Sequence, residues 1–208
     1  MAIMKDSGSG KAMKRIVVIG CSGSGKSTFS RKLKQVTGNP LHHLDKLYWL
    51  PDWNLRAAEE QDRIQKERIK DEKWIIDGNY QRSLPIRLER ADTVFFFDYP
   101  RSLCPYRALK RIVLNRKRTR PDMGEGCPER FDWEFMKFIW NFNKNNRSGL
   151  IALLDQAPAG IEIQHFRKPR EARDYLRAFG GTKRRRSRLK QRLLLLFVVL
   201  LVSLTTIL

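Results

Sequence analysis

A glycine-rich turn between an apolar run and a helical stretch carries the clearest chemistry in the sequence. Residues 15–28 read RIVVIGCSGSGKST and match the pattern GxxxxGKS/T. Glycines let backbone N–H groups approach phosphate oxygens, and the helix that follows adds the positive end of its dipole. Lys26 supplies a charge for the β- and γ-phosphates of ATP, and the Ser27 hydroxyl is a ligand for Mg²⁺. The residues predicted to bind the nucleotide are Gly20, Ser22, Gly23, Ser24, Gly25, Lys26, Ser27 and Thr28.

Two aspartates follow short apolar runs further along the chain. Asp45 ends the run LHHLD, and Asp77 ends the run KWIID before a glycine. Carboxyl ends of parallel strands meet at one edge of a sheet, so both side chains are predicted to face the pocket of Lys26. Asp77 is predicted to hold Mg²⁺ with Ser27. Asp45 is predicted to orient or deprotonate an acceptor hydroxyl, or to contact a nucleobase. An ordinary turn aspartate is the alternative at both positions.

Aromatic side chains and arginines are the remaining candidates for substrate contacts. Tyr48, Trp49 and Trp53 suit a ring-stacking platform for the substrate, with core packing as an equal alternative. Arg82 and Arg87 follow Asp77 and are predicted to lie within reach of the same pocket.

A stretch rich in glycine and proline predicts a mobile lid over residues of about 116–130. Phosphoryl transfer is accelerated by charge stabilisation and by exclusion of water, so Arg116 and Arg120 of this lid are predicted to act in catalysis. Arg147, after the next helix, is predicted to join them. Arg167 follows the last predicted strand, where a nucleotide base or ribose would rest. Several neighbouring arginines form a solvated basic face in the alternative interpretation.

The pattern of apolar residues predicts the elements that position these groups. Strands are expected at residues 15–19, 41–45, 73–77, 91–99 and 161–166. Helices are expected at residues 27–36, 55–72, 103–117 and 171–179. One further helix carries a stripe predicted to support the core or the lid, made of Phe131, Phe135, Phe138 and Phe142. Strands alternating with helices indicate an α/β domain around a parallel sheet.

The composition fits one such domain and an anionic partner. The chain has 208 residues, with 42 Lys and Arg against 22 Asp and Glu, which gives a net charge of +20. Seven of the basic residues fall within residues 183–192. Nucleotide phosphates account for a few of these charges, while DNA or an anionic membrane would account for more. Three widely spaced cysteines predict neither disulfides nor a metal site, and so a reducing cytoplasm.

The two ends of the chain differ from the central domain, which is predicted to span residues 13–181. Residues 1–12 lack the apolar run of a signal peptide and are predicted to be a disordered leader. Residues 182–208 combine a basic linker with a hydrophobic tail. The sixteen residues from Leu193 to Leu208 would span ~24 Å as a helix, short of a hydrocarbon core of ~30 Å. An anchor to the inner face of the membrane is one interpretation. Packing in a dimer and a changed reading frame are the others.

The order of these elements resembles the nucleoside monophosphate kinase group of P-loop NTPases. Four segments are similar to bacterial DNA topology modulation (FlaR-like) proteins, which are related to adenylate kinase: LDKLYW at 44–49, DGNY at 77–80, TRPDM at 119–123 and FIWNF at 138–142. The resemblance covers residues 14–179. It implies a three-layer fold with a five-stranded parallel sheet in the order 2-3-1-4-5, a small lid, and the use of ATP and Mg²⁺.

The resemblance also has a point of departure that concerns the substrate. Asp77 and Gly78 stand where adenylate kinases have Asp-Gly-Phe-Pro-Arg, and Arg82 lies near the phosphate-binding arginine of that motif. Asn79 and Tyr80 replace Phe-Pro, which implies a different acceptor pocket. The predicted function is an ATP-dependent kinase acting on a nucleotide, a nucleoside or a related hydroxylated metabolite. The alternatives are a nucleotide-dependent DNA-associated protein and a membrane-anchored ATP-binding module.

Overall fold

The fold is built around a five-stranded sheet in which all neighbouring strands are parallel. A computed structural model describes residues 13–180. Its strands are β1 Arg15–Gly20, β2 Leu41–His43, β3 Trp49–Leu50, β4 Asn54–Leu55, β5 Trp74–Asp77, β6 Thr93–Phe97 and β7 Glu162–Phe166. The order across the sheet is β2-β5-β1-β6-β7, while β3 and β4 form a separate antiparallel hairpin. Numbered along the chain, the five parallel strands have the predicted order 2-3-1-4-5.

Helices connect the strands of the sheet. They are α1 Lys26–Thr37, α2 Leu44–Tyr48, α3 Ala58–Arg68, α4 Leu84–Leu88, α5 Leu103–Leu114, α6 Trp133–Asn145 and α7 Arg147–Asp155. The chain divides into two compact units, one that ends at Arg167 and one that begins at Lys168. In the second unit residues 169–180 are helical, with an ion pair of 3.2 Å between Arg170 and Asp174. All the site residues discussed below lie in the first unit.

The central strands are buried on both faces. Ile16, Val17, Val18 and Ile19 have no exposed surface, although successive strand residues point to opposite sides of a sheet. Helices therefore cover both sides, which confirms the predicted three layers. On the side of α1, the ring of Phe29 lies 4.9 Å from that of Phe95 on β6. This contact packs α1 against β6, the strand that pairs with β1 as far as Gly20, where the glycine-rich loop departs.

Several predicted elements are shorter than the sequence pattern suggested, among them the strand over residues 91–99, which is observed as β6 Thr93–Phe97. The strand expected to end at Asp45 stops at His43, because the chain turns directly into α2 and places Asp45 in its first turn. The helix expected over residues 55–72 is only α3, because Leu55 pairs with Trp49 in the hairpin. Helix α5 ends at Leu114 rather than at residue 117.

The predicted phenylalanine stripe is only partly right. The Asp132 side chain accepts a hydrogen bond from the Phe135 N–H and starts α6 at Trp133, so Phe131 precedes the helix. Phe131 and Phe138 are 56% and 43% exposed, whereas Phe142 is buried. The core-facing side of α6 is therefore narrower than the stripe.

Predictions about the chain ends concern mainly residues outside the described range. The leader at 1–12 and the whole of the tail at 182–208 belong to that group. Within residues 13–180, no helix has both the length and the apolar character needed to cross a membrane. The three cysteines are free thiols and all are buried.

Candidate active site

The loop between β1 and α1 lies against neighbouring backbone. Gly20 has φ 136°, and a Cβ there would lie 2.4 Å from the Phe97 carbonyl oxygen. Gly23 has φ 83°, and its Cβ would lie 2.4 Å from the Cys104 carbonyl oxygen. Because real Cβ contacts are never this short, both positions need glycine. The loop is thus held between the end of β6 and the start of α5.

The start of α1 is arranged to receive an anion. Within the described residues no side chain caps this helix, and its first turn contains no acidic residue. Free N–H groups and the helix dipole favour a phosphate at this position. The Lys26 ammonium donates a hydrogen bond of 2.9 Å to the Cys21 carbonyl oxygen, within the loop itself.

Asp77 lies at the carboxyl end of β5, next to β1 in the sheet. Its Oδ2 accepts a hydrogen bond of 2.8 Å from His43 Nδ1. Its Oδ1 is buried and has no hydrogen-bond partner among the described residues. A carboxylate oxygen without a protein partner is the kind of ligand that Mg²⁺ prefers. Residues 13–180 contain no cluster of three or more His, Cys, Asp or Glu suited to a metal.

Asp45 is half-buried and lies among charged groups of the predicted site. Tyr80 donates a hydrogen bond of 2.8 Å from its hydroxyl to Asp45 Oδ1. Burial raises the pKa of the Asp45 carboxyl, and the negative charge of Asp77 acts in the same direction. The Tyr80 hydrogen bond and the charges of Lys26 and Arg120 oppose that rise. The structure therefore brings together Asp45, Asp77, Lys26 and Arg120.

A buried arginine supports the loop that follows β5. Arg87 has no exposed surface and donates hydrogen bonds of 2.7 Å and 3.1 Å to the carbonyl oxygens of Gly78 and Tyr80. Burial lowers the pKa of Arg87 to about 10. Asn79 Oδ1 accepts a hydrogen bond of 3.2 Å from the Gly20 N–H. Arg87 was predicted to lie within reach of the pocket. The structure instead buries it beneath this loop, where it binds the Gly78 and Tyr80 carbonyl oxygens.

The predicted lid segment contributes a residue that sequence reasoning missed. Asp122 is buried, and its carboxylate contacts the Ser27 hydroxyl. Burial disfavours the charge of Asp122, but the Arg120 guanidinium, 2.8 Å away, and the Ser27 hydrogen bond outweigh it and lower the pKa. Arg120 also pairs with Glu129. The available signal was the TRPDM segment, in which Asp122 is the only acidic residue.

The other predicted arginines have different surroundings. Arg147 makes a bidentate pair with Asp98, at 2.8 Å from both Nε and Nη2. Arg82 binds both carboxylate oxygens of Asp62 on α3, each at 2.8 Å. Arg116 is exposed and forms a backbone bridge to Glu129. Arg167, also exposed, directly follows β7. The structure does not bring Arg82 or Arg147 into the cluster around Asp45.

Only part of the predicted aromatic platform is accessible. Tyr48 has no exposed surface, and its hydroxyl donates a hydrogen bond of 3.3 Å to Gln65 Oε1. It is therefore a core residue, as the alternative held. Trp49 and Trp53 are partly exposed, with ring centroids 5.6 Å apart. A Cβ at Gly124 would lie 2.0 Å from the Trp49 carbonyl oxygen, so the predicted lid packs on this hairpin.

Comparisons with known proteins find similarity in the fold. No protein-family profile and no curated sequence matches the chain. A shikimate kinase from Acinetobacter baumannii, solved in complex with shikimate, is 14% identical with a TM-score of 0.54, over 80% of this chain and 90% of that one. A shikimate kinase from Bacteroides thetaiotaomicron is 15% identical with a TM-score of 0.51, over 82% and 98% of the two chains. The chain therefore has the P-loop kinase fold.

Proposed function

We propose that this protein is an ATP-dependent phosphotransferase that moves the γ-phosphoryl group of Mg-ATP to a hydroxyl of a small acceptor. The observation that carries the proposal is the environment of Asp45. Its carboxyl group lies beside Asp77, Arg120 and the phosphate-loop lysine, in surroundings that raise its pKa. A raised pKa brings a carboxylate closer to the value that suits a general base.

The proposed reaction assigns each group a separate role. The loop N–H groups and Lys26 hold the phosphates. Ser27 and Asp77 would hold a Mg²⁺ ion, which would supply positive charge for the phosphate oxygens. Asp45 accepts the proton of the acceptor hydroxyl as the acceptor oxygen bonds to the γ-phosphorus. The bond between the γ-phosphorus and the bridging oxygen breaks, and ADP leaves. Arg120 balances charge that develops on the transferred group.

The choice of a small acceptor rests on the pairing of Asp45 with Tyr80 and on the fold. Asp45 and Tyr80 form a compact polar pair, and one structural neighbour was solved in complex with shikimate. A nucleotide, a nucleoside or a related hydroxylated metabolite fits this class. A cytoplasmic location, where Mg-ATP is abundant, is part of the proposal. Catalytic roles for Arg116 and Arg147, and partnership with DNA or a membrane through the tail, stay predictions.

The test is ATP turnover by the full chain against a panel of nucleosides, nucleoside monophosphates and hydroxylated metabolites. We expect one acceptor class to be phosphorylated, with turnover lost in Lys26→Ala and lowered on the order of 10²-fold or more in Asp45→Asn. Asp62→Asn is the matched control, because it changes a carboxylate whose partner is Arg82 on the surface. Nucleotide binding without any acceptor, or full turnover in Asp45→Asn, would contradict the proposal.

A further inference from the structure

The exposed apolar residues of the described chain are concentrated on two helices. Apart from Leu55, every large hydrophobic side chain that residues 13–180 expose lies on or beside α5 and α6. Trp133 is 62% exposed and Val113 is 68% exposed. The members of this set, called the α5–α6 surface below, are Tyr106, Leu109, Val113, Leu114, Phe131, Trp133, Phe138 and Trp140.

Helical spacing places these residues on outward faces. Tyr106, Leu109 and Val113 follow one another at steps of three and four, which is one side of α5. Trp133 and Trp140 are seven residues apart on α6, so they also share a side. The two helices contact each other, and each buries its other side in the core. Both helices are therefore packed against the core, and the α5–α6 surface consists of the sides that the core does not cover.

Cations accompany the exposed tryptophans. The Arg101 guanidinium lies 4.2 Å from the ring centroid of Trp140 and donates a hydrogen bond of 2.9 Å to its carbonyl oxygen. The Lys137 ammonium lies 5.9 Å from the ring centroid of Trp133. Residues 101–147 carry 12 Lys or Arg and 5 Asp or Glu, a net charge of +7. Some of these cations also pair with carboxylates, among them Lys137 with Glu134 at 2.8 Å and Arg147 with Asp98 at 2.8 Å. The α5–α6 surface thus combines aromatic rings with adjacent cations in a segment of net positive charge.

This combination selects one kind of partner. We propose that the α5–α6 surface docks the protein on an anionic lipid membrane. Tryptophan and tyrosine are enriched at membrane interfaces, and lysine and arginine are attracted to anionic headgroups. A second copy of the chain would oppose a like-charged surface, within chains that each carry +20. The site is distinct from the predicted tail anchor and does not depend on the proposed kinase activity.

The experiment measures whether Trp133 and Trp140 enter the lipid. The full chain is mixed with vesicles of phosphatidylcholine and phosphatidylglycerol in which the acyl chains of the phosphatidylglycerol are brominated, a quencher of tryptophan fluorescence. The chain has 5 tryptophans, so a Trp133→Phe/Trp140→Phe variant reports the contribution of the other three. We expect vesicles to quench the unchanged chain, and the quenching to disappear in this variant. A tail anchor alone would leave both proteins unquenched, which would overturn the proposal.

Two further measurements identify the source of any binding. Replacing both tryptophans by serine should weaken partitioning to the anionic vesicles by about tenfold, because the buried apolar area falls. Leu55→Ser removes an apolar side chain that is 48% exposed outside this surface, and should leave partitioning unchanged.

Equal quenching in vesicles of brominated phosphatidylcholine alone would overturn the role of charge. A sedimentation result showing a dimer that the serine variant dissociates would assign the surface to a second copy instead.

Discussion

Asp77 and Asp98 occupy equivalent places on the two sides of β1 but have different surroundings. Asp77 ends β5 and Asp98 directly follows β6, and these strands flank β1. The side chains are 4% and 7% exposed. Among residues 13–180, one oxygen of Asp77 has no hydrogen-bond partner, whereas Arg147 and His165 together bind both oxygens of Asp98. A buried strand-end aspartate is available for chemistry only where its neighbours leave an oxygen free.

The partners of Asp98 also fix its charge. Burial disfavours the ionised form, but the hydrogen bonds from His165 and Arg147 outweigh burial and lower the pKa of Asp98 to about 2. Asp98 therefore joins β6, β7 and α7 as an ionised structural link. We expect substitutions at Asp77 to affect turnover and substitutions at Asp98 to affect stability.

The largest effect is expected for Asp77→Asn. The amide keeps an oxygen that can accept the hydrogen bond from His43 but loses the charge that, in the proposed function, would hold Mg²⁺, so turnover should fall on the order of 10²-fold. The free energy of unfolding should change little. Steady-state turnover and urea unfolding measure the two quantities. A large loss of stability with normal turnover would remove the distinction between the two aspartates.

The second prediction concerns Asp98→Ala. Arg147 and His165 would lose their shared partner, and we expect the free energy of unfolding to fall by about 2 kcal/mol. This is less than the loss expected for a fully buried ion pair, because Arg147 is partly exposed and water screens its charge. Urea unfolding measures the loss. Arg147→Ala should cost less, because His165 still binds Asp98.

The same variants test the predicted catalytic role of Arg147. Turnover of the folded Arg147→Ala protein should stay close to that of the unchanged chain if this arginine serves the Asp98 link. A loss as large as that of Asp77→Asn would instead support catalysis by Arg147.

The third prediction is a difference in acid sensitivity. Because the pKa of Asp98 is lowered in the folded protein, its stabilising effect is complete above the ordinary value of about 3.9 and is lost as pH falls through about 2. In the unchanged protein, this loss should lower the free energy of unfolding by about 2 kcal/mol between pH 4 and pH 2. Asp98→Asn should remove this part of the pH dependence. Urea unfolding at several acidic pH values tests this. Identical slopes for the two proteins would contradict the assignment.

The smallest effect is expected for Tyr80→Phe. The hydrogen bond from Tyr80 favours the ionised form of Asp45, so its removal should raise the pKa of Asp45 further. If Asp45 acts as the base, the acidic limb of the pH profile of kcat/KM should move to higher pH. An unchanged limb would exclude Asp45 as the group that titrates there.

Local patterns were enough to predict the centre of the fold. The run before Gly20, the spacing to Lys26 and the helix after it are all properties of adjacent residues. The sheet order came from the resemblance and is confirmed. The short run LHHLD predicts a strand that ends at Asp45. Nothing in this run indicates that a helix starts at Leu44, as the structure shows.

Long-range partners explain what the sequence could not predict about the site. Arg147 lies 49 residues from Asp98, and Arg82 lies 20 residues from Asp62. Nothing local distinguishes such an arginine from one that binds phosphate. The burial of Tyr48 depends likewise on Gln65, which belongs to another helix.

The hydrogen bond between Lys26 and its own loop has a consequence for measured affinity. In the proposed function, nucleotide binding would exchange the 2.9 Å contact with the Cys21 carbonyl oxygen for contacts with phosphate. The measured dissociation constant therefore reports the free energy of the lysine–phosphate contacts relative to that of the hydrogen bond from Lys26 to the Cys21 carbonyl oxygen. Removing the side chain abolishes both arrangements at once, so comparing Lys26→Ala with the unchanged chain understates the strength of the lysine–phosphate interaction itself.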